Sequence, residues 1–316
     1  MAYIKWLFIF LVIGFASQAQ PLVADSLLKA HVNALAHDSM QGRFTGRKEI
    51  GLAARYIARQ MDSLGLKKMA GNNSGFLIPW NLKMYKEFPG EHVVGLIPGN
   101  IKKDKLIIFS AHYDHVGVVS NQKAFAFGTV NKRIKGDSIF NGANDNATGV
   151  SALLELAWAF LKTEPAYTLM FVAFSGEELG MLGSADFCEN LAPNDIVMNV
   201  NLEMLGRPNG KRPFIIEDEN SAAYLTLLNK NLAKSGTDYP KRYFGSDPYT
   251  EQNLFKRSDN YSFHQRGIAS FTIMATDPAD IYYHSANDEI ETIQVDQMQK
   301  IVQAIYWAML PVIMGE

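Results

Sequence analysis

From residue 104 onward, short apolar runs alternate with longer stretches in which apolar residues recur every three or four positions. The short runs are Lys105 to Ser110, Tyr167 to Phe174, Ile196 to Leu202 and Ala269 to Ala275. Runs of this length, apolar at odd and even positions alike, predict strands buried on both faces, as in a parallel sheet. The three-to-four spacing predicts helices over Ala147 to Leu161, Ser221 to Lys234 and Val295 to Met309. In the first of these, Val150, Leu153, Leu154, Ala157 and Leu161 share a face, and in the last Met298, Ile301, Val302, Ile305, Tyr306 and Met309 do so. The alternation predicts one α/β domain: a three-layer, doubly wound, mostly parallel sheet with helices on both faces.

Upstream, helical spacing covers Leu22 to Ala36 and Glu49 to Leu64, the second stopped by Gly65. Between them, Gly42 to Lys48 has the glycines of a phosphate loop at the wrong spacing and with no strand before it, so it reads as a turn. Residues 75–98, rich in Val, Ile, Phe and Trp and punctuated by Pro79, Pro89 and Pro98, predict short antiparallel or edge strands. The first twenty residues differ from all of this. Lys5 precedes an apolar run from Trp6 to Phe15, and Ser17-Gln18-Ala19 offers small residues where a signal peptidase cuts. The run is about half of the roughly 20 residues needed to cross a bilayer. It therefore predicts a removable export signal over residues 1–19, a mature domain over 20–316, and a periplasmic or secreted protein with no membrane span after cleavage.

Composition narrows the chemistry. Lys and Arg number 30 against 32 Asp and Glu, a net charge of −2 without any basic stripe, which argues against a nucleic-acid partner. Cys188 is the one cysteine. It excludes an intramolecular disulfide and any zinc site built on two thiolates, so a bound metal must use His, Asp and Glu. Glycosylation sequons begin at Asn72, Asn146 and Asn260, and the second falls beside a candidate ligand, which favours a bacterial export route.

In open α/β sheets ligands bind beyond the carboxyl ends of the strands. Here the ends carry Ala111-His112-Tyr113-Asp114-His115, Ser175-Gly176-Glu177-Glu178, Glu203, and, after a loop, Tyr283-His284; Asn144-Asp145-Asn146 stands just before a helix. One such polar segment is an ordinary cap or solvated loop. Five of them on one edge, with two imidazoles and at least three carboxylates, predict a site for a divalent metal.

The same segments carry a family resemblance. His112 to Gly117, Asn141 to Gly149, Phe174 to Gly180, Asn201 to Met204, Arg257-Ser258-Asp259, and Tyr283-His284 followed by Asp288 occur in the order found in the co-catalytic di-zinc aminopeptidases of the bacterial leucyl aminopeptidase type. That family shares its zinc-exopeptidase fold with animal-type glutaminyl cyclases, and the resemblance runs from about residue 38 to the C-terminus. It implies that His112 and Glu203 bind a first zinc, His284 and Glu178 a second, and that Asp145 bridges the two. Such a pair, about 3.5 to 4 Å apart, acidifies a shared water that acts as nucleophile. The resemblance makes Glu177 the general base, Asp114 the residue orienting His112, Tyr283 a donor to the oxyanion, and Ser258 and Asp259 a buttress. The substrates it implies are peptides with a free N-terminus. One departure is plain: where the family has aspartate, this chain has Glu203, whose extra methylene moves the carboxylate by about one C–C bond unless the strand end retreats.

His115 lies near the site, either as a rim residue touching substrate or as a structural hydrogen-bonding residue. His31, His37, His92 and His264 read as solvated or satisfied, and Cys188 as a small core residue. Neither a nucleophile elbow nor His-Glu-x-x-His occurs. Two other functions keep the fold: a one-zinc glutaminyl cyclase, and a binding module that has lost its chemistry. The loops Val118 to Phe140 and Phe244 to Lys256 are expected to shape the side-chain pocket.

Overall fold

The computed structural model describes residues 23–80, 90–118, 137–218 and 223–316. Four strands form the centre of its sheet: β3 (Lys102–His112), β4 (Tyr167–Phe174), β5 (Ile196–Glu203) and β8 (Ser270–Met274), in the order β4-β3-β5-β8 and all parallel. Their sequences alternate between two cores. Leu169, Phe171 and Ala173 of β4 join one apolar cluster, and Met170, Val172 and Phe174 join another on the opposite face. That two-sided burial is why the runs are apolar at odd and even positions alike, with few polar residues.

The flanks are antiparallel. On one side β1 (Leu77–Trp80) pairs with β2 (Gly90–Ile97), and β2 pairs antiparallel with β4; on the other, β6 (Phe214–Ile216) runs antiparallel to β8 and parallel to the two-residue β7 (Gly245–Ser246). The whole is one mixed eight-stranded sheet, and the doubly wound parallel pattern holds for its middle.

Helices cover both faces. The larger core takes the apolar stripes of α1 (Asp25–Leu35), α2 (Ile50–Leu64), α3 (Thr148–Phe160), α5 (Ala223–Lys234) and α7 (Val295–Met314). The smaller takes Phe187 and Cys188 of α4 (Leu182–Glu189) and Phe263 of α6 (Asn260–His264). α7 continues past the expected end at Met309 and through Pro311. Ile313 is fully buried, its carbonyl accepts from Ala166 N, and Gly315, at φ 80°, ends the helix in the left-handed region. Core packing of that last turn outweighs the one hydrogen bond a proline removes. Residues 1–22, including the expected export signal, lie outside the described residues. No helix among the described residues is long and apolar enough to cross a membrane.

Candidate metal centre

Because the four central strands are parallel, their carboxyl ends share one edge. His112 and Glu203 are the last residues of β3 and β5; Glu178 lies four residues beyond β4, Asp145 just before α3, and His284 beyond β8. The fold gathers all five, each buried.

Asp145 organises them. Its Oδ1 lies 3.4 Å from His112 Nε2, which in turn is 3.3 Å from Glu203 Oε1. Its Oδ2 lies 3.3 Å from His284 Nε2, which is 3.2 Å from Glu178 Oε2. The two oxygens of one carboxylate thus face two different groups. Among the described residues, two sets of candidate ligand atoms each gather within 4.8 Å: His112, Asp145 and Glu203, and His115, Asp145, Glu178 and His284. Zinc bonds of about 2.0–2.1 Å to N and O place tetrahedral ligand atoms about 3.3–3.4 Å apart. The spacings around Asp145 match that edge, so these residues fit a pair of divalent ions. Glu203, despite its extra methylene, reaches the same imidazole as Asp145.

The charges point the same way. Burial and Glu178 push the Asp145 carboxyl up, but His284, His115 and His112 together hold it below its ordinary value. Burial acts to lower the His284 imidazole, and Glu178 and Asp145 instead raise it to about 10. His112 is likewise raised well above its usual value by Glu203, Glu177 and Asp145 against the effect of burial. Carboxylates this close to one another stabilise positive charge, whether a proton or a metal carries it.

The groups open into one cavity. Glu177 and Tyr283 line it, and Met204, Ile216, Leu254 and Met274 form an apolar wall that continues into a small core cluster. A model of peptidase family M28 matches residues 92–309. The chain belongs to that family.

Family M28 relatives agree in fold. The chain is 28% identical over 243 residues to aminopeptidase YwaD of Bacillus subtilis; the match covers 72% of this chain and 46% of that protein, so the chain spans about half of the relative's length. Among solved structures it resembles BSAP, a zinc aminopeptidase from Bacillus subtilis, with a TM-score of 0.70 at 17% identity, covering 93% of this chain and 96% of the other. It also resembles a Bacteroides thetaiotaomicron glutaminyl cyclase bound to N-acetylhistamine, with a TM-score of 0.66 at 18% identity, covering 94% and 99%.

Around this M28 site the supports are mostly backbone-directed. Ser258 Oγ donates to Glu203 Oε2 at 2.8 Å and accepts from Asn201 Nδ2 at 2.8 Å. Asn201 Oδ1 in turn accepts from Ser110 Oγ, so a buried polar chain crosses β5 and β3 to reach Glu203. Asp259 lies next to Ser258, and burial raises its carboxyl to about 7. His112 Nδ1 lies 3.2 Å from the Asp114 carbonyl and 3.7 Å from its carboxylate, so the nearer contact to that imidazole is the carbonyl. The Asp114 carboxylate accepts from Thr45 Oγ1 and from the N–H groups of Glu177 and Glu178, tying the loop after β4 to the end of β3. The Tyr283 ring stacks on His284, centroids 3.9 Å apart, and burial with the neighbouring carboxylates holds its phenol protonated.

Two contributions, both from arginines, escaped the sequence reading. Arg43, read as part of a turn, is fully buried and donates to the carbonyls of Tyr113, Leu35, Asn141 and Gly142 at 2.6–2.9 Å. Its own backbone sits at φ 49°. Arg207 donates to Asp280 and Asp288, and Asp288 accepts from the N–H groups of Asn144 and Asp145, fixing the backbone of Asp145. His115 Nδ1 comes within 2.9 Å of Glu178 Oε1. No local signal marks the two arginines, whose partners are carbonyls and acids spread along the chain; His115 carried one, its place three residues after His112. His92 also differs from expectation: buried, with no hydrogen-bond partner on either nitrogen, it stacks on Trp80 and meets Phe174 and Phe187 edge-on. The expected pocket loops are partly accounted for, since Leu254 lines the cavity while residues 119–136 lie outside the described residues.

Proposed function

We propose that the protein is a zinc-dependent aminopeptidase, exported after removal of residues 1–19, that hydrolyses the first peptide bond of peptides with a free N-terminus. The observation that carries the reading is Asp145 facing two ligand groups with its two oxygens, 3.4 Å from His112 and 3.3 Å from His284. In the first group His112 and Glu203 would hold an ion with Asp145, and in the second Glu178 and His284 would do so. A bound pair of divalent cations supplies Lewis acidity to water and to the scissile carbonyl at neutral pH.

The chain's own residues supply the rest. Glu177 lines the cavity and belongs to neither ligand group, so its carboxylate is free to take a proton from the attacking water and return it to the leaving amine. Burial raises its carboxyl well above the ordinary value, towards that of a base working near neutrality. Tyr283, protonated and lining the same cavity, is placed to donate to the oxyanion. Met204, Ile216, Leu254 and Met274 fit an apolar N-terminal side chain.

A glutaminyl cyclase, which uses one zinc and adds no water, shares the fold. The two-group arrangement around Asp145 favours hydrolysis. Zinc content measured together with turnover of aminoacyl anilides and of glutamine-terminated peptides tests the choice. About two zincs per chain and anilide hydrolysis are expected; ammonia release from the glutaminyl peptide without anilide hydrolysis would overturn the assignment.

A further inference from the structure

We propose that His115 is itself a ligand of the second metal, through Nδ1, so that this site has four protein ligands while the first has three. The inference rests on the two-metal reading above and deepens it. His115 Nδ1 lies 2.9 Å from Glu178 Oε1 and 3.7 Å from Asp145 Oδ2. These values straddle the tetrahedral edge of about 3.3–3.4 Å, and the distances His284 makes to the same two carboxylates, 3.3 and 3.2 Å, lie close to it. The four ligand atoms gather within 4.8 Å of one another. The two rings approach edge to face, centroids 5.6 Å apart, so both can turn a nitrogen to one point.

The chain around His115 is built to hold the ring there. Its N–H donates to Arg43 O and the N–H of Gly117 to Gly42 O, fixing the backbone after β3. Nε2 is buried without a partner, so the ring's polar contacts all run through Nδ1 into the cluster. Gly142, at φ 57°, lies against the imidazole so closely that a Cβ would overlap it. The missing side chain is the space the ring occupies.

A fourth protein ligand tightens a zinc site, and the ion can still expand to five-coordinate to share a water. The second site therefore acts as the tighter one, and the first, with His112, Asp145 and Glu203, as the weaker one. The two ions are expected to load in sequence, the second site first.

The direct test is zinc-edge X-ray absorption on the doubly loaded wild-type protein, which counts imidazoles. Ligation by His115 gives three imidazoles shared by two zincs; two would overturn the proposal, whatever any variant does. The companion variant is His115→Asn, whose amide keeps a hydrogen-bond donor for Glu178 but is a poor zinc ligand. Chelator competition should show the tight site weakened by more than about 100-fold, beyond the 10–100-fold that loss of an outer partner costs. Unchanged affinity in a folded variant would refute ligation. Wild-type protein that binds no zinc, or only one ion at zinc saturation, would instead refute the two-metal reading on which this one stands.

Discussion

At the residue scale two adjacent carboxylates at the cavity keep different company. Glu177 and Glu178 both line it, yet Glu178 lies within 2.9 Å of His115 and 3.2 Å of His284, while Glu177 belongs to neither ligand group. Replacing Glu177 by Gln should leave bound zinc unchanged and lower kcat by about 10²- to 10⁴-fold, the usual worth of a positioned proton transfer. Metal analysis beside steady-state rates checks this, and an unaffected rate would remove Glu177 from the mechanism. His92 gives a residue-level prediction about stability. Burial lowers its imidazole to about 3, against about 6.5 in the unfolded chain. Between those values the unfolded chain holds a proton that the folded chain does not, so stability falls as pH drops. From pH 6.5 to 4.5 the loss should be about 2–3 kcal/mol, at 1.36 kcal/mol per unit. Asp259, raised to about 7, titrates in the opposite sense over this range, so the His92 contribution is read as a difference: from pH 6.5 to 4.5 the unfolding free energy of the metal-free wild type in urea should fall relative to that of His92→Leu by this amount.

At the scale of elements, the segment around Arg43 does as much for the site as any strand. Its guanidinium gathers carbonyls from α1, from the residues after β3 and from the turn before Asp145. Burial lowers it to about 10, which still leaves it charged at neutral pH. Arg43→Ala strands those carbonyls at about 1–3 kcal/mol each, so a loss of at least 3 kcal/mol is expected, seen as a lower Tm and urea midpoint. Such a residue is illegible in a sequence, because its partners share no spacing with it. The four central strands were legible for the opposite reason: buried on both faces, they are mostly apolar runs. Each of His112, Asp145, Glu178, Glu203 and His284 could be read as a neighbour of the others once the runs were taken as parallel, since their ends then coincide. The flanks could not be read so well. β6 and β7 have three and two residues, too few for any period, and the antiparallel placement of β2 beside β4 is a matter of topology that local pattern does not carry.

For the whole molecule, the two ligand groups link segments that are far apart in the chain, from His112 to His284. Ions bound there act as cross-links of the folded state alone and stabilise it by mass action, about 4 kcal/mol at a thousandfold excess over Kd. Chelation should lower Tm by several degrees and zinc should restore it; a Tm indifferent to both would argue against ions held by these residues. The same sheet that aligns the site has two outer margins, and both are poor templates for another chain. On one, Pro79 within β1 interrupts the row of N–H donors. On the other, β7 offers two residues. Margins on which a foreign strand finds little to pair with leave few sites for another chain to add on, and the protein should resist edge-to-edge aggregation at high concentration.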